Sequence, residues 1–312
     1  MKSAVNDTNF NSAVFLLTGI PGQEDVHLWI SIPFCLVYVI SVAGNSVILF
    51  IIRTDTGLHE AMYILLSMLA VTDLGLSIAT MSTTLGTFFF NAREISLDAC
   101  FAQLFFIHSL SYSESSVLLL MAFDRFIAIS HPLRYASILT LPRIAKMGLV
   151  CVLRGVAVMF PLPFLLKHSQ YCQANVLSRS YCLNQEIIKM VCLDIRVTSI
   201  YGFFVTVSTV MLDSLLILLS YVMILKTVLS IASHAGRVRA LGTCVSHFCA
   251  VLLFFIPGTG LFVVQRFGNS SSSLLQILIG YVYLLILPMM NPIVYSLKSK
   301  HLHARIIRVL KK

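Results

Sequence analysis

Two carboxylates, Asp73 and Glu114, stand inside stretches that are otherwise apolar. An ionised side chain in hydrocarbon is expensive unless it faces a partner or water. Measured from the ends of their stretches, the two reach similar depth, and a facing pair of carboxylates resists double ionisation unless a cation lies between them. The pair predicts a buried sodium site. The plainer alternative is polar contact between helices, and that is also one reading of the two other embedded charges, Arg154 and Asp213.

A second set of residues has the chemistry to hold a small molecule. His108 lies eight residues beyond Cys100, about 12 Å along a helix, and shares a face with Leu104, Ser111 and Tyr112. Arg266 closes an apolar stretch with Phe262 one turn before it. A guanidinium there can grip a carboxylate with two parallel hydrogen bonds, or it can simply sit in water and lipid headgroups. Gln185 supplies an amide near Cys182. His247 and Cys249 have no partner at ligand spacing and read as packing residues, so they assemble neither a nucleophile with a base nor a catalytic metal centre.

The elements that position these residues are seven apolar stretches: Trp29 to Ile52, then 61–90, 100–123, 143–166, 197–225, 240–265 and 271–297. The first carries no charge and, at 1.5 Å per residue, covers a hydrocarbon layer of about 30 Å. With 58% hydrophobic and 11% charged residues, the composition excludes a soluble domain. The expected fold is an all-α membrane protein, a bundle of seven transmembrane helices over 27–297, with an extracellular tail over 1–26 and a cytoplasmic tail over 298–312. Residues 1–26 hold no apolar run of signal-peptide length, so the first span is expected to serve as its own insertion signal.

Basic residues mark cytoplasmic segments. With the N-terminus outside, the inner segments hold about twice as many Lys and Arg residues as the outer ones, among them Arg53, Arg134, Arg143, Lys226, Arg237, Arg239 and the cluster from Lys298 to Lys312. The net charge of +9 then reads as topology and attraction to anionic lipid, and no stripe of aromatic and basic residues suggests nucleic acid.

Cys100, Cys172, Cys182 and Cys192 fall on the outer, oxidising side. Four cysteines allow three pairings; Cys100–Cys182 with Cys172–Cys192 would tie the long outer loop, 167–196, over the bundle as a lid. Asn6 heads a glycosylation sequon in the tail, and Asn269 heads another beside a helix end.

Asp124-Arg125 ends the third span, and the segment around it carries a resemblance. The run from Met121 through Ala122-Phe123-Asp124-Arg125-Phe126 and Ser130-His131-Pro132 to Tyr135 resembles olfactory receptors, a rhodopsin-like family of G-protein-coupled receptors. So do Gly44-Asn45, Ser67 to Asp73, Ser220-Tyr221, Arg239 to Cys244, and Asn291-Pro292-Ile293-Val294-Tyr295, in the family's order from about residue 27 to 300. The long cysteine-bearing loop and Val264 to Gly268 are similar to the class I, fish-like branch. Ala61-Met62-Tyr63 departs from the usual Pro-Met-Tyr, and Ser130-His131-Pro132 from Cys-x-Pro.

The resemblance implies a receptor in the plasma membrane for a small odorant, coupled to a stimulatory heterotrimeric G protein of the olfactory or Gs type and raising cAMP. It places Asp124, Arg125, Tyr221, Arg239, Asn291, Pro292 and Tyr295 in the switch and its G-protein contact, and class I membership favours a polar, often acidic ligand. A chemosensory receptor for a metabolite is the alternative. A transporter or channel would show internal repeats or a charged midplane ring, which this sequence lacks. In the tail, Leu302, Ile306, Val309 and Leu310 share one helical face opposite His301, Arg305, Arg308 and Lys312, the layout of a helix lying on the inner membrane surface.

Overall fold

The structure is a computed structural model that describes residues 14–20, 22, 27–167, 169, 171, 175–191, 196–267, 273–298 and 300–310. Among them, seven helical spans are long and apolar enough to cross a membrane. They are α1 (His27–Thr54), α2 (Ala61–Phe89), α3 (Leu97–Ser130), α5 (Leu141–Met159) with α6 (Pro161–Lys167), α8 (Arg196–Ser230), α9 (His234–Phe267), and α10 (Ser273–Tyr281) with α11 (Leu287–Lys298). Short helices α4 (Tyr135–Ile138) and α7 (Asn184–Ile188) lie in connections, and α12 (Lys300–Leu310) follows the last span.

Most helices overrun their hydropathy boundaries. The third apolar stretch was expected over 100–123, but α3 runs from Leu97 to Ser130. Hydropathy stops where hydrocarbon stops, whereas a helix continues until its backbone is told to end. Here Ser96 caps the start by accepting from the Ala99 amide at 3.4 Å, and Pro132 disfavours helical backbone at His131. Asp124 and Arg125 therefore sit more than a turn inside the helix. The fourth span is not one helix over 143–166: it breaks at Phe160, where Pro161 has no N–H to donate.

In the seventh span a π-helical segment from Val282 to Ile286 joins α10 to α11, ahead of Pro292. Pro292 has a different consequence. Without an amide hydrogen it leaves the Pro288 carbonyl, four residues back, without its helical donor. Asn45 Nδ2 of α1 donates to that carbonyl at 2.9 Å. The approach is close because Gly44 has no side chain: a Cβ there would stand 3.0 Å from Pro292 Cγ.

The core runs along the bundle axis through Leu66, Leu69, Leu118, Met121, Phe254, Leu287 and Tyr295, while Trp29, Val39, Phe204, Leu215 and Ile256 face outward. One end of the bundle carries a small sheet ordered β2-β1-β3. In it β1 (Val14–Leu17) pairs antiparallel with β2 (Glu94–Ser96) and parallel with β3 (Val176–Leu177), so the N-terminal segment is stitched to two loops. The Cys100–Cys182 disulfide is present, with Cα atoms 5.5 Å apart, and Gln103 Oε1 accepts from the Cys182 amide at 2.9 Å. Cys172 and Cys192 lie outside the described residues, though their neighbours Tyr171 and Val191 form an antiparallel bridge. Asn6 and Asn269 also lie outside them.

At the opposite end α12 is held by packing and an ion pair. Leu302 is fully buried and Ile306 packs on the core, and Arg305 Nε pairs with Asp55 at 2.5 Å.

Candidate functional site

Beneath the disulfide-tied loop at the sheet end lie two adjoining chambers. The one nearer the loop, about 180 Å3, is bounded by Gln185, Lys189, Phe203, Phe262 and Arg266. The deeper one, about 100 Å3, is bounded by Ser111, Ser115, Val210, Phe255, Thr259 and Tyr283. His108, Tyr112, Gln185, Thr206, Phe262 and Gln265 line both.

The sequence-derived ligand residues converge here with one exception. Leu104 borders neither chamber: it is fully buried against Phe101, Leu162 and Leu166. The helix-face reading placed it with His108 because the two are one turn apart, but the loop covers the first turns of α3 and takes Leu104 into its own core. Conversely, Lys189, Thr206, Thr259, Gln265 and Tyr283 enter the cavity unannounced. Lys189 comes from the loop turn after α7, where spacing gives no face to read.

Arg266 reaches across to α8. Its Nη1 donates to Ser199 Oγ at 3.1 Å and its guanidinium lies 5.3 Å above the Phe203 ring, so the charge is aimed by a hydrogen bond and a cation–π contact. No carboxylate partner is recorded for it among the described residues. Lys189 is paired with Glu186 at 3.0 Å. Phe262 and Phe203 rings stand 5.8 Å apart between Arg266 and the deeper chamber. The loop itself is anchored by Arg179, whose Nη1 donates to the Gln276 carbonyl at 3.1 Å, and by a Ser180–Tyr281 hydroxyl contact of 2.8 Å. Burial raises the Tyr181 phenol above its ordinary pKa, so the group facing Arg179 is a neutral hydroxyl.

The embedded charges sort into two clusters. Arg154 donates to both Asp213 oxygens at 2.9 and 3.0 Å and to Ser116 Oγ at 2.7 Å, while Ser115 Oγ donates to Asp213 Oδ2 at 2.7 Å. This ion pair ties α3, α5 and α8, and Ser115 lies at the floor of the deeper chamber. In the other cluster, Asn291 Nδ2 lies 3.1 Å from Asp73 Oδ2 and 3.4 Å from Glu114 Oε1. Both carboxylates are fully buried. Glu114 Oε2 and Asn291 Oδ1 have no hydrogen-bond partner among the described residues.

At the far end Arg125 is held by its own neighbour. Its Nε donates to Asp124 Oδ2 at 2.9 Å, and the Tyr135 hydroxyl donates to Asp124 Oδ1 at 2.7 Å. Tyr221 does not meet this pair directly. Its hydroxyl contacts His247 Nδ1 at 2.8 Å, and His247 Nε2 lies 2.9 Å from the Leu118 carbonyl. A carbonyl only accepts, so Nε2 carries the proton and Nδ1 accepts from Tyr221. His247, read from the sequence as a packing residue, thus links α3, α8 and α9. Tyr295 is buried with its hydroxyl 3.8 Å from Met121 Sδ. The side chain of Arg239 lies outside the described residues.

A covered cavity at one end of a membrane-crossing bundle and an arginine latch at the other, joined by the same helices, make this a seven-helix receptor of the G-protein-coupled class, not an enzyme. The olfactory receptor family model matches residues 34–312. Among known proteins the chain is 60% identical to human olfactory receptor 51G2 over 98% of both chains, and 55% identical to human olfactory receptor 51G1 over 97% of this chain and 94% of that one. It is 53% identical to human olfactory receptor 51A7 over 96% of each. The chain belongs to the olfactory receptor family. It is a multi-pass membrane protein whose partners are a small-molecule ligand and a G protein.

Proposed function

We propose that the ligand is a small carboxylic acid, gripped at the loop-side chamber by Arg266, and that its binding activates a stimulatory G protein of the olfactory or Gs type and raises cAMP. The observation that carries this reading is the placement of Arg266: a guanidinium without a carboxylate partner among the described residues, at the edge of a mostly apolar cavity. Arg266 borders the chamber from an exposed position, held by Ser199 and Phe203, and a bidentate carboxylate would complement the donors left over. In this orientation the sheet end and the N-terminus are extracellular and α12 is cytoplasmic, in agreement with the basic residues near the α12 end.

Removing the fork should remove the response. In Arg266→Ala, ligand-evoked cAMP to acids is expected to need roughly tenfold or more higher concentration, since a lost charge-assisted pair is worth about 1.5–3 kcal/mol. Unchanged dose–response curves at equal surface expression would overturn the reading.

The Asp73–Glu114–Asn291 cluster fits a sodium ion. Two carboxylates and the unpartnered Asn291 oxygen form a set of hard oxygen donors, and one shared amide leaves the buried negative charge under-compensated. The cation would supply that compensation and hold α2, α3 and α11 in one packing. Sodium chloride is expected to raise the melting temperature of the purified receptor relative to N-methylglucamine chloride, and Glu114→Ala to abolish the difference. Equal melting in the two salts would remove sodium from the account.

A further inference from the structure

Two buried polar atoms around the chambers, His108 Nε2 and Gln265 Nε2, lack partners among the described residues, and the Ser111 hydroxyl beside them has only the Tyr283 hydroxyl within reach. Such orphans are uncommon in folded proteins and call for a specific cause. No charged side chain among the described residues lines the deeper chamber, whose polar groups are neutral hydroxyls, amides and one imidazole. The cavity is therefore graded, with a cation at its mouth and neutral hydrogen-bonding groups at its base.

We propose that the preferred ligand is a two-ended aliphatic acid, with a carboxylate at one end and a hydroxyl or ketone near the other. This rests on the carboxylate reading of Arg266 and extends it past Phe262. The carboxylate would occupy the chamber beside Arg266, the chain would pass the Phe203–Phe262 pair, and the second polar group would meet Ser111 and His108. A hydroxyl or ketone suits them because a neutral imidazole and a serine hydroxyl can each donate or accept. A second carboxylate does not, since no cation waits at the base.

The deeper chamber is small, about 100 Å3. A plain fatty acid could fill that space only by setting methylenes against Ser111 and His108, leaving His108 Nε2 unpaired and Ser111 with Tyr283 alone. Sites built to hydrogen-bond a polar group discriminate strongly against analogues that lack it.

The test compares medium-chain straight alkanoic acids with their (ω−1)-hydroxy and (ω−1)-oxo counterparts of equal length, read as cAMP in cells displaying the full chain at measured surface density. The functionalised acid is expected to have a half-maximal concentration about tenfold lower, equivalent to about 1.4 kcal/mol. In Ser111→Ala the ratio between the two acids should fall to within about twofold. Equal potencies in the intact receptor, with both responses weakened about tenfold or more in Arg266→Ala, would overturn this inference and leave the carboxylate reading standing. Activation by neutral ligands alone, with no acid active, would overturn both. An advantage that persists undiminished in Ser111→Ala and in His108→Leu would also overturn it.

Discussion

Arg154→Met is expected to strip the receptor from the cell surface. The change removes the partner of Asp213, which is 1% exposed at the side chain while Arg154 is 27% exposed. Breaking a buried pair from one side strands a charge and costs about 3–5 kcal/mol, whereas replacing both members with apolar residues of similar volume is often neutral or stabilising. Against a typical folding stability of about 5–15 kcal/mol, the single loss is enough to divert most molecules to quality control. Asp213→Leu alone should fail in the same way, with Arg154 then stranded among lipid-facing neighbours. The double variant Arg154→Met with Asp213→Leu should recover surface display in large part. Flow cytometry of an epitope-tagged receptor reads all four proteins, and full display of either single variant would show that the pair is not structural. Ser115 sharpens the case, because it spends its hydroxyl on Asp213 at the chamber floor: in the double variant that hydroxyl is released to the cavity, so a rescued receptor is also expected to respond to a changed set of ligands.

How far the sequence discloses this architecture depends on whether a feature is local. The seven spans are local sums of hydropathy and were legible, whereas the Cys100–Cys182 tie was legible only as one choice among the three pairings of four outer cysteines. The ends of α3 were not, since Ser96 and Pro132 act on backbone hydrogen bonds that hydropathy does not register. The sheet was hidden for a different reason: β1 draws its partners from the α2–α3 connection and the long loop, and strands of two to four residues carry no usable alternation. The Asp73–Glu114 proximity could be inferred from depth alone, but Asn291 as the bridge between them required the third helix. Arg154 and Asp213 were visible as costly charges but not as mates, being 59 residues apart. His247 shows the limit most plainly. Its partners are a hydroxyl on α8 and a main-chain carbonyl on α3, and no spacing rule within α9 points to either. Leu104 is the converse case, a residue whose helix face was right and whose covering loop was not.

At the opposite end of the bundle, the largest functional effect is expected from Arg125→Ala, with ligand-evoked cAMP falling to the background of untransfected cells at normal surface display. Arg125 is 12% exposed at the side chain and rests on Asp124, which is itself fixed by the Tyr135 hydroxyl. A charge so nearly buried is stable only while that carboxylate holds it. If Arg125 serves the G-protein contact that the sequence assigns to it, it would leave Asp124 for a partner entering between the helix ends, and ligand binding would act by shifting the balance between the two arrangements. The latch makes a prediction of opposite sign. Asp124→Asn weakens the hold without removing the guanidinium, so basal cAMP should rise, and Tyr135→Phe, which removes one neutral hydrogen bond worth about 1 kcal/mol, should raise it less. His247→Phe, by releasing Tyr221 from α9, should alter the ligand-evoked response while leaving the Arg125–Asp124 contact intact. The ordering of basal signal, Asp124→Asn above Tyr135→Phe above the unaltered receptor above Arg125→Ala, is checked in one experiment normalised to surface density. Full ligand-evoked signalling from Arg125→Ala would mean that the latch geometry plays no part in coupling, and equal basal levels in all four would mean that Asp124 holds Arg125 for stability alone.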